Sequence, residues 1–327
     1  MIYIGIDVGK NKLDCLWLKD VLSEKVKTKV FKNNQEGFEN ITQWLIKVTS
    51  AQPEQLHITL EATGIYHEGV ATHLFNQGFQ VYVVNPARPK EFAKALGVTH
   101  KTDKADSLLL AKFGYQMNPR HWTPEAPEVR KLKALIRRIE SIEKDIQREL
   151  NRKEQAEIAD NSSVVIESID KIVSVLVKEK ERLTEELDTH IDNHPTLKTN
   201  RRLLESIPGV GPVVSRLMLS VLSSNQFEKA GSVSAYLGLI PRIRESGTLK
   251  GRSTLSKVGP PNIRAKIYMA AVVAKQHNPD VKALYERLKN NGKTHMQALG
   301  AAMRKLVQIC FGVFKHQNEY KSQIANK

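Results

Sequence analysis

Asp7 ends the apolar run Ile2 to Ile6 and is followed by Val8-Gly9, which reads as a carboxylate at a strand end beside a glycine turn. A hard divalent cation prefers oxygen ligands, and this position could supply one; the same pattern also fits a plain turn cap. Glu61 ends a second apolar run, His57 to Leu60, ahead of Ala62-Thr63-Gly64-Ile65-Tyr66. It either caps the helix that follows or faces Asp7 from the adjacent strand end. Two like charges buried there would push one pKa up, and a cation resolves the conflict. In Lys101-Thr102-Asp103-Lys104-Ala105-Asp106 the two acids share one helix face at i and i+3, although acids favour a first helical turn for dipole reasons alone. An Asp on the first strand, a Glu on a central strand and an Asp pair opening a later helix make up the carboxylate set of a metal-dependent nuclease. Such a site holds two Mg²⁺ for phosphoryl transfer, with Mn²⁺ as the alternative ion.

Two further segments could meet a polyanion. Leu203 to Gly211 reads as helix, tight turn and helix, and Gly209, Val210 and Gly211 would bring backbone N–H groups close to a phosphate. Such a contact is indifferent to base sequence. The loop Arg242 to Lys257 sets Arg242, Arg244, Lys250, Arg252 and Lys257 against the single acid Glu245, with glycines and hydroxyls between them, a composition suited to gripping a phosphodiester. Ser246, Ser253 and Ser256 in that loop read from composition alone as turn residues. His190 and His194 stand at i, i+4, but at a charged helix end without nearby thiols, and are expected to be solvated rather than zinc-bound.

The elements that position these groups follow from apolar spacing. Ile2–Ile6 and Lys12–Leu18 form a hairpin across Val8 to Asn11, and Lys25–Val30 alternates lysine with Val26, Thr28 and Val30 as a half-exposed third strand. Helices built on Phe38, Ile41 and Leu45 and on Val70 and Leu74 then alternate with strands His57–Leu60 and Gln80–Val84, which predicts a mixed α/β sheet with its sites at strand ends. From Ala126, apolar residues recur by threes and fours to Leu150. A second such helix runs from about Val164 to a stop at Pro195, with Asn161-Ser162-Ser163 as the tip, so the pair forms a coiled-coil arm or a dimer seam. The remainder is helical, with a frayed tail expected after Lys315.

Fifty Lys and Arg against 35 Asp and Glu leave +15, which puts nucleic acid first among partners. No apolar run approaches the roughly 20 residues needed to span a bilayer. The opening Met1 to Asp7 lacks a basic leader segment, and Cys15 and Cys310 alone make no disulfide framework, so the cytoplasm is the expected compartment and no membrane partner is expected.

Taken in order, Tyr3-Ile4-Gly5-Ile6-Asp7, Glu61-Ala62-Thr63-Gly64-Ile65-Tyr66, Asn85-Pro86, Lys101-Thr102-Asp103 with Asp106, the Pro208-Gly209-Val210-Gly211 turn and Glu245-Ser246-Gly247 resemble the DEDD-type transposases of bacterial insertion sequences over nearly the whole chain. The resemblance implies a RuvC-like, ribonuclease-H-fold domain over 1–125, a coiled-coil arm over 126–195 and a mainly helical transposase domain with a helix-hairpin-helix over 196–327. It implies that Asp7, Glu61, Asp103 and Asp106 are the metal-binding tetrad and that Ser246 is the nucleophile forming a phosphoserine link to cleaved DNA. It further implies donor and target DNA as substrates, a bridge RNA as guide, and a homodimer or tetramer in which the acidic domain of one subunit works with the serine domain of another. The alternatives are a RuvC-like junction resolvase in which water attacks, an actin-like ATPase or sugar kinase built on the Asp7-Val8-Gly9 loop, and a non-catalytic nucleic-acid-binding protein.

Overall fold

The computed structural model describes residues 1–97, 102–159, 162–242, 245–246, 249–250 and 254–324. Within it the chain forms two compact units, Met1–Pro124 and Glu125–Lys327.

The first unit is built on strands β1 (Ile2–Val8), β2 (Lys12–Asp20) and β3 (Lys25–Lys32), helix α1 (Gln35–Thr49), β4 (Leu56–Glu61), α2 (Tyr66–Asn76), β5 (Gln80–Val84), α3 (Ala87–Ala95) and α4 (Asp103–Met117). The sheet order is β3-β2-β1-β4-β5; β1, β2 and β3 pair antiparallel, and β4 and β5 join β1 in parallel. This mixed five-stranded sheet fits the ribonuclease-H-like expectation. One face carries Ile4, Ile6, Val8, Leu13 and Cys15, packed with Phe38, Ile41 and Leu45 of α1 and Val70 and Leu74 of α2. Strand β3 is the outer strand, and its Val30 is 57% exposed, so the expected apolar face of this strand is largely solvated.

Helix α4 covers the other face and lies close to the sheet. A Cβ on Gly5 would stand 1.9 Å from the Ser107 carbonyl oxygen, and one on Gly114 would stand 2.2 Å from Thr59 Oγ1. Tyr115, near the end of the helix, meets Tyr3 edge-on at 5.2 Å. The helix therefore runs against β1 with its first turn beside Asp7. Ser107, fully buried, fixes this seat by donating to the Asp14 carbonyl at 2.8 Å. Thr102 caps the helix, accepting from the Ala105 N–H at 3.2 Å.

The second unit opens with α5 (Pro127–Ile158) and α6 (Ser163–Asp192), which pack antiparallel and are tied by Lys131–Glu186, Lys180–Glu143 and Lys153–Asp170 ion pairs along their length. Of the expected tip, Asn161 lies outside the described residues, and Ser162 caps α6. Helices α7 (Pro195–Glu205), α8 (Pro212–Ser224) and α9 (Ala230–Tyr236) follow. Two short hairpins come next: β6 (Pro241–Arg242) pairs with β9 (Thr254–Leu255), and inside them β7 (Glu245–Ser246) pairs with β8 (Leu249–Lys250). Helices α10 (Pro261–His277), α11 (Pro279–Asn290) and α12 (His295–His316) complete the core, in which Leu219, Val233, Ile267, Ala271 and Leu299 are buried together.

Two expectations are corrected here. The segment after Lys315 is held in place over its described residues, to Ile324: Tyr320 donates its hydroxyl to Asp280 Oδ2 at 2.7 Å and its N–H to Ser206 Oγ at 2.9 Å. Burial pushes the Tyr320 phenol up to about 12. His190 is 5% exposed, not solvated, because its ring faces the start of α5, with Nε2 2.8 Å from the Glu128 carbonyl. Among the described residues no helix is long and apolar enough to cross a membrane.

The close seat of α4 makes Gly5 the residue least tolerant of a side chain. Gly5→Ala is expected to destabilise the first unit by about 3 kcal/mol, because rigid backbone faces the new methyl. All three tryptophans, Trp17, Trp44 and Trp122, lie in this unit, so their fluorescence during urea unfolding reads the change directly.

Candidate functional site

The parallel pairing of β1 with β4 matches Ile6 to Leu60, so Asp7 and Glu61 leave the two central strands side by side. Strand alternation puts Asp7 on the same face as Gly5, the face covered by α4. The first turn of α4 brings Asp103 and Asp106 to this end of the sheet. The consequence is electrostatic. Asp7 has its pKa raised from the ordinary 3.8 to about 6, first by burial and then by the charges of Asp106, Asp103, Asp14 and Glu61. The four acids singled out by sequence are thus brought into one field.

Two residues of this site went unread in the sequence. Asp14 sits across from Asp7 in the β1–β2 register, and its side chain is 14% exposed. Lys12 extends its ammonium to Asp103 Oδ2 at 2.5 Å and to Asp14 Oδ2 at 3.1 Å, and these two bonds raise the Lys12 pKa. An acid set among Leu13, Cys15 and Leu16 within β2 is the signal that could have revealed Asp14.

Carboxylate oxygens crowded at a strand end fit a divalent cation, whose charge would relieve the repulsion that now falls on Asp7. Asp7, Glu61, Asp103 and Asp106 are the candidate ligands that the sequence offers for it. Among the described residues no three Asp, Glu, His or Cys side chains close into a complete ion cage. Lys12 supplies the positive charge beside Asp103.

In the second unit, Ser246 ends β7 and is paired in register with Leu249, so it stands just before the connection of the inner hairpin. Arg244 and Arg252 lie outside the described residues, as do the side chains of Ser246 and Lys250. Arg242 and Lys257 are exposed. The base of the loop is firmly built. A Cβ built on Gly238, at φ +69°, would stand 2.1 Å from the Val258 carbonyl oxygen and one on Gly259, at φ +97°, 2.1 Å from that of Tyr236, and Ser256 donates its N–H to the Ile240 carbonyl at 2.9 Å. Arg264 of α10 donates to the Gly259 carbonyl at 2.8 Å, a positioning contact that nothing in the sequence signalled.

The turn between α7 and α8 faces two ways. Gly209, at φ +95°, is placed so that a Cβ would meet that of Ala274 at 2.7 Å, and the Val210 side chain is buried. Gly211 stands open at the start of α8, with nothing within 4 Å of a Cβ built there.

Residues 4–156 match the IS110-type DEDD family, described as a transposase, and residues 201–286 match the family described as Transposase IS116/IS110/IS902. The chain is 30% identical over 325 residues to the pilin gene-inverting protein of Moraxella bovis, covering 98% of each, and equally similar to its counterpart in Moraxella lacunata. It is 24% identical over 162 residues to an uncharacterized 43.6 kDa protein of insertion element IS110 from Streptomyces coelicolor, covering 49% of this chain and 39% of that protein. The chain belongs to the IS116/IS110/IS902 transposase family and is an enzyme that acts on DNA. DEDD-type transposase domains of this nuclease-like class generally use divalent metals.

The raised pKa of Asp7 has a defined sign. The folded protein binds this proton more tightly than the unfolded chain does, so stability falls as pH rises from about 4 through 6. Asp7→Asn, which cannot ionise, is expected to raise the urea midpoint at pH 8 without metal and to leave it nearly unchanged at pH 4. Equal midpoints for the two proteins at pH 8 would contradict the crowding.

Proposed function

We propose that this transposase cuts and rejoins donor and target DNA through a covalent serine–DNA intermediate on Ser246, assisted by divalent cations held by Asp7, Glu61, Asp103 and Asp106. The observation that carries the reading is the concentration of acids around Asp7, a costly arrangement for folding alone. Two Mg²⁺, with Mn²⁺ as the alternative, are the ions suited to these hard ligands; when bound they stabilise charge on the phosphoryl group and favour the ionised hydroxyl.

The chain's own residues divide the remaining work. Ser246 Oγ forms a bond to phosphorus as the bond from phosphorus to the departing sugar oxygen breaks. The hydroxyl proton passes to a base, and the sugar oxygen gains one. Because the phosphoester is conserved in the adduct, rejoining needs no nucleotide triphosphate. Arg242, Arg244, Lys250, Arg252 and Lys257 hold the DNA backbone near the serine, and Gly211, with Gly209 and Val210 shaping its turn as a helix-hairpin-helix, gives a sequence-neutral backbone contact. The resemblance to the DEDD-type transposases implies that target choice falls to a bridge RNA, with pairing supplying specificity.

The active form is a homodimer or tetramer joined through the α5–α6 arm acting as a coiled coil. Val164, Val165, Ile172 and Val175 support this reading: they are 70%, 45%, 46% and 66% exposed along α6, leaving an apolar stripe uncovered in one chain.

The test is a denaturing gel of protein incubated with flanking noncoding RNA, end-labelled donor and target DNA and Mg²⁺. A labelled band at protein mass is expected from the wild type and is expected to vanish in Ser246→Ala. Free cleaved DNA without an adduct, unchanged by that substitution, would instead establish water as the nucleophile, as in a junction resolvase.

A further inference from the structure

Helices α11 and α12, with the C-terminal segment that returns across them, enclose a cleft of about 690 Å³ lined by Asp280, Arg287, Arg304, Lys305, Gln308 and Gln323. It lies apart in sequence from the serine loop and from the α7–α8 turn. Three cations meet one carboxylate here, and the carboxylate is already engaged. Asp280 accepts from the Tyr320 hydroxyl at 2.7 Å, from the Gln323 N–H at 3.1 Å and from Ser322 Oγ at 3.4 Å. Among the described residues no Asp or Glu pairs with Arg287, Arg304 or Lys305; Lys305 reaches only Gln323 Oε1, at 3.5 Å. The buried Nε of Arg304 has no acceptor among them. Three cations without a carboxylate partner among the described residues leave the cleft positive and suited to an entering anion.

We infer that this cleft is a second binding site for the phosphodiester backbone of duplex DNA. Arginine presents a planar fork of donors that matches phosphate oxygens. No aromatic ring lines the cleft, so it offers bases nothing to stack on, as a single-strand site would. Its contacts are to backbone and are therefore independent of sequence. The inference rests on the family's action on DNA and adds a grip remote in sequence from the residues assigned to cleavage. Asp280 has a positioning role: by tying down residues 320–323 it builds one wall of the cleft.

The test is fluorescence anisotropy of the full-length protein with a labelled duplex of arbitrary sequence, titrated over a range of salt. Each phosphate contact contributes a slope of about −0.9 in log K against log salt. Arg287→Gln with Lys305→Gln is expected to weaken binding about tenfold at ~0.1 M salt and to reduce the slope by roughly 2. Arg287→Gln alone, at an exposed position, should give about half that slope change with folding intact by circular dichroism. Lys282→Gln with Lys289→Gln removes the same charge from the opposite side of α11 and should leave the slope unchanged. Equal losses in the two double variants would reduce the effect to net charge and overturn the site. Loss of binding to an RNA hairpin with duplex DNA unaffected would overturn the assignment to DNA. A wild-type protein with no affinity for duplex DNA would overturn the site together with its premise, and the adduct gel would show that premise failing independently.

Discussion

The contact between Gly5 and the backbone of Ser107 sets the geometry of the first unit. A glycine on the central strand lets α4 lie closer to β1 than any side chain would permit. Closeness here fixes direction as well as distance. Tyr115 meets Tyr3 at one end, and at the other the first turn of α4 arrives beside Asp7. Two acids from a helix and one from each of two parallel strands share a field because this seat is rigid. Gly114 against Thr59 repeats the device one strand over, so the helix is pinned on β1 and β4 together.

The acidic cluster shows how a fold accommodates an unfavourable charge arrangement. Asp7 is strained by the arrangement, with its pKa moved to about 6, while Lys12 bridges Asp103 and Asp14 and neutralises the outer side of the cluster. A lysine in this place orders the carboxylates without filling the crowded end around Asp7. The second unit uses a different logic. Its serine loop is a pair of short hairpins standing on a tight base, where Gly238, Gly259 and Arg264 lock the connections to α9 and α10. Rigid support beneath a polar, basic loop suits the role proposed for Ser246.

Much of this was legible in the residues. Apolar runs located β1, β2, β4 and β5, helical spacing located α1, α2, α5 and α6, and the acids at the ends of these elements pointed to one site. What escaped the sequence depends on approach between distant segments. Lys12 and Asp14 look like ordinary polar members of a strand until α4 is laid over them. His190 reads as a residue at a charged helix end, yet the start of α5 covers it. The tail around Tyr320 has the composition of a frayed terminus, and its phenol finds partners only when the buried Asp280 and Asn278 are folded against it. Gly209 reads as a phosphate-facing glycine, whereas the open side of its turn falls to Gly211 because α10 packs behind Gly209.

By the proposed function, the seat of α4 assembles a divalent-cation site around Asp7. The most direct measurement is Mn²⁺ binding to the purified full-length protein, followed by electron paramagnetic resonance and compared with Asp7→Asn and Gly5→Ala. Bound Mn²⁺ in the wild type is expected to be lost in Asp7→Asn and sharply weakened in Gly5→Ala, where the acids are all present but the helix is displaced. Unchanged binding in both variants would contradict it, because the ion would then be held somewhere else.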